Sequence, residues 1–252
     1  MLVEISIVII TFNEEKNIGR CLDSVAGLAK DIVVVDSFST DKTKEICIAK
    51  GARFVEHKFD GHIEQKNYAI SQAKNQYVLS LDADEALTEA LKKEIKNIIN
   101  NWEYDAYVFN RLTNYCGTWI KHSGWYPDKK LRLWDVTKGK WGGENPHDMV
   151  IMDKGSSTKK IALDILHYSY YTIEDHLKQV EYFTNINSKA AFENGKKSSH
   201  FKIFYKSTFK FFRDYILKKG FLDGHAGFLI AKISAKATGM KYRKLLALNK
   251  NK

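Results

Sequence analysis

Four apolar runs of strand length, each followed by a stretch with helical spacing, constrain this chain more than any other feature. The runs are residues 4–11 (EISIVIIT), 31–36 (DIVVVD), 53–57 (RFVEH) and 77–82 (YVLSLD). Between the first two, a helix is expected to open at Asn13 and run to about Val25, with Ile18, Cys21, Leu22 and Val25 at helical spacing. A second helical stretch opens on Asp41 and stops at Gly51, and a third covers residues 63–74. The first run is apolar enough for a strand covered on both faces. Alternation of this kind predicts a parallel α/β sheet with right-handed crossovers.

Parallel sheets of this class bind ligands beyond the carboxyl ends of their strands. Glu14, Asp36, Asp82 and Asp84 all fall at or just past such ends, so they are expected at one rim. The stretch 78–85 (VLSLDADE) runs from a buried strand into three carboxylates within four residues. Two Asp at i and i+2 on extended backbone point the same way. They can share a divalent ion and leave positions open for phosphate oxygens. In the plainer alternative, Asp84, Glu85 and Thr88 serve only as the polar N-terminus of the next helix.

Beyond this point the pattern changes. Residues 88–101 read as an amphipathic helix, and 106–112 and 131–134 as strands. Residues 114–148 are rich in Trp, Gly and Tyr and lack a period, with 141–148 reading as a loop. A long irregular segment in a compact domain is usually functional. Three helices are expected at the end, over 172–194, 201–219 and 228–237. The expected division is a domain over 1–170 and a basic, aromatic-rich helical extension over 171–252.

Charge separates these two parts. The chain carries +10 overall, yet from Lys196 onward 13 Lys and 2 Arg face only Asp214 and Asp223, a net +13 that leaves −3 on the rest. Such asymmetry suggests an anionic partner for the tail. The 201–219 helix interleaves aromatics with lysines, which suits the surface of an anionic membrane. No stretch approaches the length of about 20 apolar residues that a membrane span needs. Cys21, Cys47 and Cys116 are scattered and odd in number, and no leader pattern opens the chain, so a cytoplasmic setting is expected.

Several of these segments together resemble a known family. Ser6-Ile-Val-Ile-Ile-Thr-Phe-Asn-Glu14, Val33-Val-Val-Asp36-Ser-x-Ser-x-Asp41 and Leu81-Asp-Ala-Asp84 are similar to the family 2 glycosyltransferases. Phe59-x-Gly61-x-x-x-Gln65-Lys66-Asn67, Leu131-Arg-Leu-Trp134, Pro146-His147-Asp148 and Gly220-Phe-Leu-Asp-Gly224 resemble the lipopolysaccharide-core β-1,4-glucosyltransferases within it. The resemblance implies a GT-A fold, a Rossmann-like mixed sheet, and inverting transfer of a hexose, glucose in that subgroup, from a UDP-sugar. The acceptor it implies is a saccharide, such as a lipid-linked inner core.

Residue roles follow from the same resemblance. Asp36 would accept the uracil N–H, with Thr11 and Glu14 lining the nucleotide pocket. Lys66 would reach ribose or phosphate, and Arg132 a phosphate, the plainer alternative for each being a solvated side chain. Asp82 and Asp84 would hold the donor through Mg²⁺ or Mn²⁺, with Asp84 the direct ligand; His147 is open to three readings, a further metal ligand, a sugar contact or a loop histidine. The acceptor's proton would go to Asp148, where the subgroup carries Glu; Glu144 is the second candidate base. Two rival classes exist. A hydrolase needs carboxylates on opposite sides of a glycosidic bond, and Asp82 and Asp84 are too close in sequence for that. A nucleic-acid binder would use the basic tail, but the acidic rim repels a phosphate backbone, so nucleic acid is not an expected partner.

Overall fold

The computed structural model describes residues 1–145 and 147–250. They form two compact units. The first comprises residues 1–111 and 128–168, and the second residues 112–127 and 169–252.

The first unit opens with the expected alternation: β1 (Ile5–Thr11), α1 (Ile18–Val25), β2 (Asp31–Asp36), α2 (Thr43–Ala49), β3 (Arg53–Glu56), α3 (His62–Ser71) and β4 (Tyr77–Asp82). These four strands are parallel, in the order β3-β2-β1-β4. Strand periodicity sorts their side chains onto two faces. Ile5, Ile7, Ile9, Leu79 and Leu81 join one buried cluster with Ile18, Cys21, Leu22 and Val25 of α1. Val8, Val33, Val35 and Val78 join another with Ala69 of α3. Both faces are therefore covered, which is why the runs read as almost uniformly apolar.

Antiparallel strands continue the sheet. They are β5 (Glu85–Leu87), β6 (Ala106–Tyr115), β8 (Asp128–Asp135) and β11 (Thr158–Tyr170), with α4 (Glu89–Asn100) between β5 and β6. The full order is β3-β2-β1-β4-β8-β6-β11-β5, and β7 (Thr118–Ile120) pairs with β6. The sheet is thus mixed, as the resemblance implies. Thr88 caps α4 by accepting from the Leu91 N–H at 3.2 Å.

Three local expectations are corrected. The helix expected from Asn13 begins only at Ile18, because Asn13 takes a left-handed conformation (φ 53°). Of residues 141–148, read as a loop, 141–144 and 147–148 instead pair as strands β9 (Gly139–Glu144) and β10 (His147–Met152) of a hairpin. Glycine-rich β9 has little intrinsic strand preference, and cross-strand pairing decides the outcome. Strand β11 was not anticipated, although Ile161, Leu163 and Ile165 alternate along it.

In the second unit, α5 (Ile173–Glu193) starts with a capping box of Thr172 and Asp175. Helix α6 (His200–Phe212), capped by Ser199, passes into a π-helical turn (Arg213–Leu217) and a 3₁₀ turn (Gly220–Asp223). Helix α7 (Gly224–Lys250) runs well past the expected end at 237. It continues because Ile230, Ile233, Gly239 and Leu245 remain buried along it. The Gly220–Gly224 motif ties this unit together. The Asp223 carboxylate accepts from the Lys121 and His122 backbone N–H groups at 3.2 and 2.8 Å.

Candidate active site

Register puts the candidate residues at one sheet edge. Thr11 pairs with Asp36, and Ile10 with Asp82. The ends of β1, β2 and β4 therefore lie side by side, so the expected acidic rim exists.

The loops after β1 and β2 are knitted together by the residues that the sequence motifs contain. The Asn13 N–H donates to Ser39 Oγ at 2.7 Å, and the Thr40 N–H to Asn13 Oδ1 at 2.8 Å. Glu14 and Glu15 N–H groups donate to Thr43 Oγ1 and Asp41 Oδ2 at 2.9 and 3.0 Å. Asp36 is buried and accepts from the Ser39 N–H at 2.7 Å. The buried Thr11 hydroxyl has no hydrogen-bond partner among the described residues. Glu14 is pushed up from 4.5 to about 7 by burial, against the Asn17 hydrogen bond and reinforced by Asp84, Asp41 and Asp82. It is therefore close to half protonated at neutral pH.

Lys66 is the centre of the second group. It was open to reading as a solvated lysine, but only 4% of it is exposed. Its Nζ donates to Asp148 Oδ2 at 2.7 Å, lies 3.0 Å from Asp82 Oδ1, and sits 4.4 Å over the Trp141 ring. The Asp82 contact is an ion pair rather than an aligned hydrogen bond. Arg132, on β8, donates from Nη2 to Asp82 Oδ2 at 2.8 Å and to Glu85 Oε1 at 2.6 Å. Burial would raise the Asp82 carboxyl, but Lys66 and Arg132 outweigh it and hold it well below the usual range. Arg132 itself stays above its ordinary value, because Glu85 and Asp82 overcome the effect of burial. Its Nη2 is thus committed to two carboxylates rather than offered to a phosphate.

Helix α3 fixes this arrangement through consecutive residues. The Gln65 side chain meets His57 and Ser37 at 2.8 and 3.1 Å. Asn67 exchanges two hydrogen bonds with the Trp141 backbone, at 2.9 and 3.1 Å. The α3 N-terminus, which lacks a cap of its own, donates the Ile63 N–H to Asn145 Oδ1 at 3.1 Å. The β9–β10 hairpin is therefore pinned to α3 at two points, and this brings Asp148 to Lys66. Glu144, the second base candidate, is exposed at the end of β9. His147 opens β10; its side chain lies outside the described residues. Lys66, Asp82, Arg111, Arg132, Trp141 and Asp148 line a cleft of about 600 Å³.

Asp82 and Asp84 meet different partners. Strand β4 ends at Asp82 and Asp84 lies in the following turn, so strand periodicity does not relate them. Asp84 Oδ2 instead lies 3.1 Å from His167 Nε2, on β11. The pairing of β11 with β5 places His167 opposite Glu85, and the Tyr168 N–H donates to the Asp84 carbonyl at 2.9 Å. His167 was missed by the sequence reading, though it continues the alternation of Ile161, Leu163 and Ile165.

Among the described residues no three His, Cys, Asp or Glu side chains converge as a closed metal cage. A carboxylate oxygen and an imidazole nitrogen 3.1 Å apart nevertheless suit a divalent ion that keeps its other positions for phosphate and water. Neighbouring ligands of an octahedral ion at about 2.1 Å stand about 3.0 Å from one another. Asp84 and His167 thus fit a substrate-completed site. Asp82, already held by two cations, fits direct ligation less well.

A family model described as "Glycosyl transferase family 2" matches residues 6–221. An uncharacterized glycosyltransferase of Rickettsia typhi is 30% identical over 98% of this chain and 88% of its own length. The lipopolysaccharide core biosynthesis glycosyltransferase LpsC of Rhizobium meliloti is 25% identical over 92% of this chain and 87% of its own length. Among solved structures, a glucosyl-3-phosphoglycerate synthase of Mycobacterium tuberculosis with Mn²⁺ and UDP-glucose is 24% identical. That match covers 44% of each chain, with a TM-score of 0.38.

Proposed function

The chain belongs to glycosyl transferase family 2, and from that premise we propose that it transfers a hexose, with inversion, from a UDP-sugar to a saccharide acceptor. The observation that carries this reading is the convergence on Lys66 of Asp82, from the edge of the parallel strands, and Asp148, from the β9–β10 hairpin. One carboxylate belongs to the donor side of the cleft and the other to the acceptor side.

The donor's nucleotide lies along the ends of β1 and β2, with Asp36, Thr11 and Glu14 as its lining. Asp84 and His167 would hold Mg²⁺ or Mn²⁺, which when bound supplies positive charge to the departing diphosphate. Lys66 offers a second positive charge beside the same group. Asp148 takes the proton from the acceptor hydroxyl as its oxygen bonds to the sugar's anomeric carbon. The bond from that carbon to the diphosphate breaks, and UDP leaves with the electron pair. Arg132 and Glu85 position Asp82 and touch no substrate in this scheme. Lys129 and Lys130, which also border the cleft, favour an anionic acceptor. A lipid-linked inner-core saccharide, glucosylated at the cytoplasmic face of a membrane, meets that description, and the similarity to LpsC supports it.

Calorimetric titration with a panel of UDP-sugars, with and without Mn²⁺, tests the donor. Asp84→Asn should abolish the metal-dependent part of donor binding. Asp148→Asn should spare donor binding and slow transfer by about 10²–10⁴-fold, the usual contribution of a general base. Transfer at the wild-type rate by Asp148→Asn would remove Asp148 from the mechanism.

A further inference from the structure

Helix α6 packs on α7 through Ile203, Ser207 and Phe211 and leaves its other large aromatics outward. Ile203 is its buried residue, at 9% exposure. Ser207, one turn on, lies against Gly239 of α7, where an added Cβ would stand 3.6 Å from Ser207 Cβ. By contrast Phe201 is 77% exposed and Phe204 69%, and Tyr205, Phe209 and Phe212 are exposed as well. A helix turns 100° per residue, so these five aromatics share one face. Three of the rings stack along a ridge. Phe201 stacks on Tyr205 with centroids 6.2 Å apart, and Tyr205 on Phe209 at 6.0 Å.

Two further features adjoin the ridge. Lys202 and Lys206 follow one flank of the same helix at helical spacing, and Arg213 opens the π-helical turn after it. The turn beyond it exposes Ile216, Leu217, Phe221 and Leu222 around the exposed Lys218 and Lys219. A soluble helix buries such aromatics, and an exposed apolar patch of this extent marks an interaction site.

We propose that the aromatic ridge of α6 and the apolar turn after it form a docking face for an anionic lipid bilayer. Apolar rings enter the headgroup–acyl boundary while the flanking cations meet lipid phosphate. Charge complementarity selects this occupant. Two copies of the chain joined through this face would bring the same basic flanks together, in a segment that carries +13. A nucleic acid would satisfy the lysines and leave the ridge in water. The inference rests on the second unit alone and is independent of the transfer chemistry.

Flotation of the full chain with phosphatidylcholine vesicles, with and without phosphatidylglycerol, tests it. The chain should float with the anionic vesicles, and less so as salt rises. The triple variant Phe201→Gln/Tyr205→Gln/Phe212→Gln should float at least about ten-fold less. Its circular dichroism and UDP-sugar binding should match the parent, which separates failure of docking from failure of the transferase site. A single change, Phe204→Trp, guards against misfolding of the triple variant, since the added indole's fluorescence should shift to the blue on anionic vesicles alone. The proposal is overturned if the parent stays unbound at low salt, or if the triple variant floats as well as the parent. Indole emission that stays unshifted in the Phe204→Trp variant also overturns it, as does a dimer that light scattering finds in the parent and not in the triple variant.

Discussion

Replacing Lys66 by Met keeps most of the side-chain volume and removes the one cation shared by Asp82 and Asp148. Breaking a buried pair by deleting one partner costs about 3–5 kcal/mol. Two features of the site reduce that figure. The Asp148 side chain keeps 14% of its exposure, so water reaches that orphaned carboxylate, and Arg132 still holds Asp82 through its other oxygen. Losing the cation over Trp141 adds a little back, about 0.5–1 kcal/mol. The expected net loss is about 2–3 kcal/mol, which for a chain of this size lowers Tm by about 4–12 °C. Differential scanning calorimetry at neutral pH reads it. A fall of less than about 2 °C would show that Lys66 does not bridge the two acids, because no buried charge would have been orphaned. The double variant with Asp148→Asn should recover part of the loss, since Asn carries no charge to leave unpaired. The pH dependence has a defined sign. Lys66 and Arg132 depress the Asp82 pKa, so its contribution is full above the ordinary carboxylate value and is lost as pH falls through the lower folded value. Lys66→Met raises that folded value and therefore diminishes this acid-sensitive part of the stability.

Two further outcomes can be measured. Glu14 binds its proton more tightly folded than unfolded, so its contribution makes stability fall as pH rises from 4.5 to about 7. Glu14→Gln should flatten that part of the stability–pH curve; an unchanged slope in urea titrations would place the Glu14 carboxylate in water. In the second unit, a Cβ at Gly227 would lie 1.9 Å from the Gly220 carbonyl oxygen. Gly227→Ala should therefore destabilise by at least about 1–3 kcal/mol, the usual cost of overpacking, and thermal melts would show it.

The first 82 residues were legible because their signals are local. The β-branched runs and the helical spacing of Ile18, Cys21, Leu22 and Val25 each lie within one element, and the two-sided burial they imply is what the structure contains. The acidic rim was legible for a related reason. Parallel strands all end at the same edge, so Asp36 and Asp82 had to approach one another once the alternation was read. Beyond residue 112, strand β11 escaped because pairing with the distant β5 holds it in place, and the hairpin around Asp148 because glycine-rich β9 shows little strand preference of its own. Helix α7 was found but read too short, since its burial against other helices leaves no local mark past residue 237.

The chain's own pattern thus determined the parallel half of the sheet, the carboxylates at its edge and the charge divide between its two ends. Tertiary structure alone decided which groups meet there. Lys66 finds Asp148 across 82 residues, and Asp84 finds His167 on β11. The physical reason is that periodicity tells which way a side chain points from its own element. Which charge lies within 3 Å of it depends on where a second element is pinned, here by Asn67 and Asn145 on the hairpin and by β11 beside β5.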